Sequence, residues 1–183
     1  MLYKISWMAR ALIYAVLFDR VGMMSYIGPP IFITGWRKIS IGKRVRIFPA
    51  ARLEVHGEGR LLIKDNVSIG NDLHLACAAT LTIGSGVQIS SAVLLTDIDH
   101  EYEDISRPIF EQPLVVRPTT IGDRCFIGAG VKILAGTTLG QHCVVGANSV
   151  VRGVFPDFSV IAGAPARIVR RLDPASGKWI KVQ

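Results

Sequence analysis

An all-β fold, a parallel β-helix of hexapeptide repeats, is predicted by three observations. Branched aliphatic residues recur every six positions. Many of them are followed directly by glycine. The recurrence stops once, after Leu95, and resumes at Ile121.

The clearest run is Ile121, Ile127, Ile133, Leu139, Val145 and Val151, and Gly122, Gly128, Gly140 and Gly146 follow four of these six. The fourth residue after each aliphatic is Cys125, Val131, Thr137, Cys143, Ser149 and Phe155, mostly small. Each hexad reads as a short strand and a turn. The aliphatic points into a prism, the small residue into a narrow corner, and the glycine is expected to ease the turn by taking positive φ. Three hexads close one triangular coil, so residues 18 apart are expected to stack about 4.8 Å apart. Cys125 and Cys143 then stack as small interior hydrophobes.

The same period occurs earlier in three runs: Ile41, Ile47, Leu53; Ile63, Ile69, Leu75; and Ile83, Ile89, Leu95. Gly42, Gly70 and Gly84 repeat the glycine position. The runs are separated by the turn-like HGEGR and by a two-residue insertion. The expected organisation is a helical and extended cap over 1–40, the β-helix over 41–172 with a loop over 98–118 inserted, and a tail over 173–183.

A β-helix has raw strand edges at both ends, and these need covering. The apolar stretch ISWMARALIYAVLF, residues 5–18, carries Arg10 and is too short to span a bilayer, which takes about 20 apolar residues. Asp19 and Arg20 follow it with no small-residue cleavage site, which argues against a signal peptide. It reads as a short helix packed on the first end of the domain, with a helix resting on a membrane surface as the sharper alternative. The C-terminal IVRRLDPASGKWI, with Trp179, covers the other end or lies along a flank.

The bulk properties exclude several classes. Half of the residues are apolar and 19% are charged, which argues against disorder. A net charge of +7 without a zinc-finger spacing, an RNA-binding signature or a basic helix with interleaved aromatics gives no reason to expect nucleic acid. Three cysteines, Cys77, Cys125 and Cys143, are an odd number with no CxxC pair, which fits a reducing, cytoplasmic location.

The gap in the repeat holds the chemistry. TDIDHEYEDISRP, residues 96–108, displays one histidine, five carboxylates and an arginine. A loop of about 20 residues inside a compact domain is usually functional. Its prolines at 108, 113 and 118 and its aliphatics Ile105, Ile109, Leu114 and Val115, with Phe110, read as ordered against a partner surface.

The hexads, the histidine loop and the terminal VIAGAPARIV resemble the hexapeptide-repeat acyltransferases over residues 40–172. Within that family the chain is most similar to the bacterial sugar O-acetyltransferases of polysaccharide biosynthesis. The resemblance implies a left-handed helix, an exception to the usual crossover hand. It also implies homotrimers with active sites between subunits, acetyl-CoA as donor, and a sugar, nucleotide-sugar or lipid-linked glycan as acceptor. His100 matches the family's catalytic histidine. It is expected to be the general base and later the proton donor to the CoA thiolate, with a backbone N–H stabilising the oxyanion. Asp97, Asp99 and Glu101 are the candidates to orient its ring. Asn71, Asp72, His74 and Glu101 are candidates for the acceptor side.

On the donor side the resemblance implies that Val131 and Ser149, with Gly128 and Ala147 beside them, offer backbone groups to the pantetheine arm. Arg152 and Arg167, backed by Arg170 and Arg171, match the family's cations near the CoA phosphates. One departure stands out. Where the maltose enzymes carry an asparagine and an aspartate for the acceptor, this chain has Gly70 and Cys77, so that specificity does not transfer.

Three alternatives stay open. An N-acetyltransferase of an amino-sugar nucleotide uses the same base. A zinc hydratase on this fold needs convergent histidines, and His56, His74, His100 and His142 include no close pair, so no metal is expected. A non-catalytic trimeric scaffold needs no charged loop.

Overall fold

The computed structural model describes residues 2–182; residues 1 and 183, the outer ends of the expected cap and tail, lie outside it. Three parallel sheets form the walls of a prism. Face one has seven strands, from Arg20–Val21 to Val154–Phe155. Face two runs from Tyr26–Ile27 to Ser159–Gly163 and is extended by two antiparallel strands, Ala166–Asp173 and Lys178–Lys181. Face three has six strands: Phe32–Thr34, Arg52–Val55, His74–Cys77, Leu94–Thr96, Lys132–Ile133 and Val150–Val151.

The aliphatics of the repeat are the interior. Ile41, Ile63, Ile83, Ile121 and Leu139 stack along face one, Ile47, Ile69, Ile89, Ile127 and Val145 along face two, and Leu53, Leu75, Leu95, Ile133 and Val151 along face three. All are at most 2% exposed. Cys125 and Cys143 are buried among them with free thiols.

Two expectations about the coils are corrected. Strand pairing begins with Arg20 on Ser40, so the first coil lies inside the 1–40 segment read as a cap. Its aliphatics Val21, Ile27 and Ile33 keep the six-residue step, but the Gly35–Lys38 turn sets Ile41 eight residues after Ile33, out of step with them. The 18-residue register also holds only after the loop, as for Ile121 on Leu139 and Ile133 on Val151. Before it, Leu53 pairs with Leu75 and Leu75 with Leu95. The strands flanking that corner are four residues long, Arg52–Val55 with Arg60–Ile63 and His74–Cys77 with Thr80–Ile83, so each early coil needs 20–22 residues.

The glycines are required for a different reason from the one expected. A Cβ at Gly122 would lie 2.5 Å from the carbonyl carbon of Gly140, and one at Gly42 would meet Asp65 and Lys64 within 2.6 Å. The positive φ falls two residues later, on Arg44, Arg124, His142 and Asn148 at 55–58°. The glycine is therefore the point where coils touch, not the point where the chain turns. Gly122→Ala is expected to destabilise by about 1–3 kcal/mol through overpacking, read as a lower melting temperature. Arg124→Gly, at the turn itself, is expected to change it little.

Both ends are covered. The helix α1 (Leu2–Leu17) lies across the first coil. Trp7 meets Tyr26 and Phe48 at ring-centroid distances of 5.9 and 5.7 Å. Tyr14, Phe18 and Trp36 form a second aromatic group, and the Arg10 guanidinium donates to the Ile27 carbonyl at 3.1 Å. At the far end, Ala166–Asp173 and Lys178–Lys181 fold back on face two, with Lys178 and Lys181 on the outermost strand. Charges on an edge discourage strand addition.

Candidate active site

The histidine loop leaves face three after Thr96 and returns to face one at Thr119. Its neck is stitched tightly. The Thr96 hydroxyl accepts from the Ile98 N–H at 2.9 Å, the Arg117 N–H donates to the Asp97 carbonyl at 2.8 Å, and the Thr119 hydroxyl donates to the Thr96 carbonyl at 2.9 Å. Ile98–His100 then pairs antiparallel with Leu114–Val116. Beyond this hairpin the tip folds around buried Gln112. Its amide donates to the carbonyls of Asp104 and Arg107 at 2.9 and 3.3 Å. The loop is ordered by its own bonds, yet Ile105, Phe110 and Tyr102 remain largely exposed.

The hairpin sets His100 between two cavities. One, of about 180 Å³, is polar and is walled by Asp99, His100, Glu101, Arg117 and Arg152. The other, of about 410 Å³, has an apolar floor of Ala76, Leu94, Ile98 and Leu114 with His56, His74 and His100 around it. The second lies on the outer surface of face three. Neighbouring strands there put Arg52 beside His74 beside Leu94, and Glu54 beside Ala76 beside Thr96.

Glu54 organises the histidine side. Its carboxylate accepts from Arg52, lies 3.0 Å from His74 Nε2 and 3.6 Å from His56 Nε2. The Arg52 hydrogen bond, aided by His74, holds the Glu54 carboxyl below its usual range. With Nε2 engaged by the carboxylate, the His74 ring is held in one orientation.

The three carboxylates proposed to orient His100 do other things. Asp97 is fully buried and turned into the prism corner. It accepts from the Ala78 and Ala79 N–H groups at 2.7 and 3.0 Å and from the Cys77 thiol at 3.3 Å. Burial, then the Asp97 charge, pushes Cys77 up to about 12, so it stays an unreactive thiol. Asp97 stands where the chain departs into the loop, and its side chain serves the corner of the coil before.

Asp99 pairs with Arg152, at 2.6 Å, with Arg117 at 3.9 Å. The Arg152 hydrogen bond, helped by the His100 backbone N–H and by Arg117, keeps its carboxyl below the ordinary range. The Glu101 carboxylate accepts from the Tyr102 N–H at 3.2 Å. It walls the polar cavity, opposite His74.

Two acceptor candidates lie elsewhere. Asn71 lines a groove on face two with Ser90, Ser91 and Ala129, and Asp72 is the left-handed corner residue beside it. The corner between faces two and three separates both from the His74 cavity. On the donor side the coil ladder engages one backbone group of each of three candidates. The Val131 carbonyl accepts from Leu94, the Ser149 carbonyl from Lys132, and the Gly128 N–H donates to Val145. The Ser149 hydroxyl is buried, donating to Gly146 and accepting from Gly163. Ala147 packs against Gly128, 2.7 Å from where a Cβ would stand. Arg152 joins the histidine loop, while Arg167, Arg170 and Arg171 stand on the antiparallel strand of face two and do not wall the polar cavity.

Glu54 and Arg117 were missed by sequence reasoning. Glu54 alternates outward in RLEV, but only the 22-residue register brings it near His74. Arg117 follows the return strand opposite Asp97, a pairing that needs the hairpin. The Asp99–Arg152 pair ties the hairpin to the later coil. Both side chains are more than a third exposed, so the pair is worth only about 0.2–1 kcal/mol to global stability. Because the Asp99 carboxyl is depressed, the pair is intact at neutral pH and opens only as pH falls below the ordinary carboxylate range. Asp99→Asn is expected to lower kcat/KM about tenfold with little change in melting temperature. Asp99→Glu, which keeps a carboxylate for Arg152, is expected to recover part of that loss in steady-state kinetics.

Known proteins agree with this architecture. Residues 118–153 match the model of the family described as bacterial transferase hexapeptide (six repeats). The chain is 34% identical over 159 residues to WbbJ of Escherichia coli, a protein named for lipopolysaccharide biosynthesis O-acetyl transfer, covering 83% of this chain and 81% of that one. Among solved structures it is similar to galactoside acetyltransferase in complex with coenzyme A, at TM-score 0.64 and 26% identity over 95% of this chain and 77% of that one. It shares its fold with AntD, an N-acyltransferase from Bacillus cereus crystallised with dTDP and 3-hydroxybutyryl-CoA, at TM-score 0.78 and 20% identity over 88% of this chain and 87% of that one. The stacked hexapeptide coils, the single protruding loop and these likenesses lead to one conclusion: this chain belongs to the hexapeptide-repeat acyltransferase family.

Proposed function

We infer that the protein transfers an acetyl group from acetyl-CoA to a sugar hydroxyl during assembly of a bacterial surface polysaccharide, with His100 as general base. The observation that carries this reading is that His100 borders two cavities of opposite character. The polar one, with Glu101, Arg117 and Arg152, suits the polar groups of the donor arm next to its thioester. The other offers an apolar floor for the C–H face of a sugar and imidazoles for its hydroxyls.

The step needs little equipment. The acceptor hydroxyl attacks the thioester carbonyl as His100 takes its proton. The tetrahedral oxyanion collapses with loss of the CoA thiolate, and His100 returns the proton to sulfur. His74, held by Glu54, and His56 contact the acceptor. The exposed Ile105, Phe110 and Tyr102 of the loop tip suit burial on a neighbouring subunit of a homotrimer, which completes the donor groove with its own coils.

Acetylation of an amine on a nucleotide-sugar is the second reading, favoured by the same base and by the relation in fold to AntD. Thiol release from acetyl-CoA, measured against sugars, nucleotide-sugars and lipid-linked glycans with and without a free amine, separates the two. Turnover confined to hydroxyl acceptors supports the first. Turnover confined to amines replaces it with the second. No turnover and no acetyl-CoA binding would remove both.

A further inference from the structure

The charge of this chain is gathered at one end. Residues 1–46 hold eight of its 21 Lys and Arg and one of its 14 acidic residues, so this first quarter carries the whole net charge of +7 and the rest is neutral in sum. The same end carries an uncovered apolar surface. The inner side of α1, with Trp7 and Ala11, closes the prism together with Phe18 just beyond it. The outer side presents Ile5, Met8, Leu12, Ile13, Val16 and Leu17, with Leu12 74% and Val16 70% exposed. A helix that is apolar all round needs apolar surroundings on both sides.

The order of residues with depth is specific. At 100° per residue the outer apolar positions fill one half of the helix circumference, and Lys4 and Arg10 stand at its two borders. Met23 and Met24, each 73% exposed, continue the patch at the corner of the first coil and share a cleft with Met8 and Leu12. One coil further in, Lys43 and Arg44 occupy the equivalent corner, the Arg44 N–H donating to the Met23 carbonyl at 3.0 Å. The sequence from the tip inward is thus apolar surface, then cations one strand spacing of about 4.8 Å behind. That is the layering of acyl chains and phosphates in a bilayer leaflet. A second copy docked on this end would set cation rows against cation rows. No helix among the described residues is long and apolar enough to cross a membrane, so the helix would lie along the surface.

We propose that the α1 end of the prism docks on an anionic lipid bilayer, inserting Leu12, Val16 and Met24 among the headgroups and setting Lys4, Lys43 and Arg44 on lipid phosphates. The test is co-sedimentation of the full chain with vesicles, a readout independent of acyl transfer. One set is pure phosphatidylcholine, and the other carries phosphatidylglycerol as about a third of the lipid. Binding is expected to the anionic vesicles, at least about tenfold weaker on the neutral ones, and to weaken with salt. Leu12→Gln with Val16→Gln, both on the open face, is expected to cut partitioning about tenfold with unchanged circular dichroism and thiol release. Lys43→Glu with Arg44→Glu is expected to abolish the preference for anionic lipid. Absence of binding to either vesicle, or equal binding by wild type and the glutamine variant, would overturn the proposal. A smaller oligomer in the glutamine variant without any vesicle binding would overturn it in favour of a second copy.

Discussion

Replacing His100 by alanine is expected to lower kcat by about 10²–10⁴-fold, the range a positioned general base supplies. The fold should not notice. His100 is exposed on the hairpin, and among the described residues its imidazole makes no hydrogen bond of its own; the backbone N–H goes to Asp99 at 3.2 Å. The melting temperature of His100→Ala should match wild type. Acetyl-CoA binding, measured by calorimetry, should persist, because the substitution leaves every other wall of both cavities in place. Asp99 and Glu54 are both held below the ordinary carboxylate range, so both stay anionic through the interval in which imidazoles titrate. Wild-type turnover by His100→Ala would remove the histidine from the mechanism while leaving the fold in place.

Asp97→Ala is expected to give the largest loss of stability among the loop residues. The substitution leaves the N–H groups of Ala78 and Ala79 without their acceptor inside a closed corner, while the Cys77 thiol keeps the Arg60 carbonyl at 3.3 Å. Each orphaned buried donor costs about 1–3 kcal/mol, so a loss of about 2–4 kcal/mol is expected. For a chain of this size that lowers the melting temperature by about 5–15 °C. Activity should fall with it, because the corner and the loop neck meet at Asp97, whose carbonyl accepts from Arg117. Asp97→Asn retains one acceptor oxygen and should fall between the two. Were Asp97 an orienting partner of His100, the alanine variant would instead lose activity at full stability. The two variants, His100→Ala and Asp97→Ala, thus separate chemistry from scaffolding within four residues of chain.

The contrast shows what the amino-acid order does and does not reveal. Ile63, Ile83, Ile121 and Leu139 were legible because interior stacking imposes one residue type at one period. The inserted loop was legible because it interrupts that period, and His100 because it stands alone within it. The pairing across coils was not. The 20–22-residue coils before the loop leave the local period intact while shifting every outward residue, so the meeting of Glu54 with His74 could not be read from an 18-residue step. Asp97 and Asp99 are two residues apart in a charged stretch, yet one is buried in a corner and the other is half-solvated beside Arg152. Strand alternation alone would set residues two apart on one side; they differ because the chain leaves the coil between them, Asp97 closing the corner after Leu94–Thr96 and Asp99 standing on the hairpin strand Ile98–His100. The glycines were placed correctly and explained wrongly, since contact between coils and reversal of the chain fall two residues apart.

The stacked coils have a further consequence for how such a protein can change. Each coil adds one fixed increment of height, about 4.8 Å, and is bonded only to the coils above and below. The histidine cavity spans the strands Arg52–Val55, His74–Cys77 and Leu94–Thr96, the second to fourth steps of face three from α1. Its strands therefore lie one to three whole steps beyond the first strand of that face, roughly 5–15 Å by that spacing. Duplicating one complete coil between α1 and the cavity would move His100 along the axis by one increment without altering its surroundings. Reach, in this architecture, is counted rather than tuned.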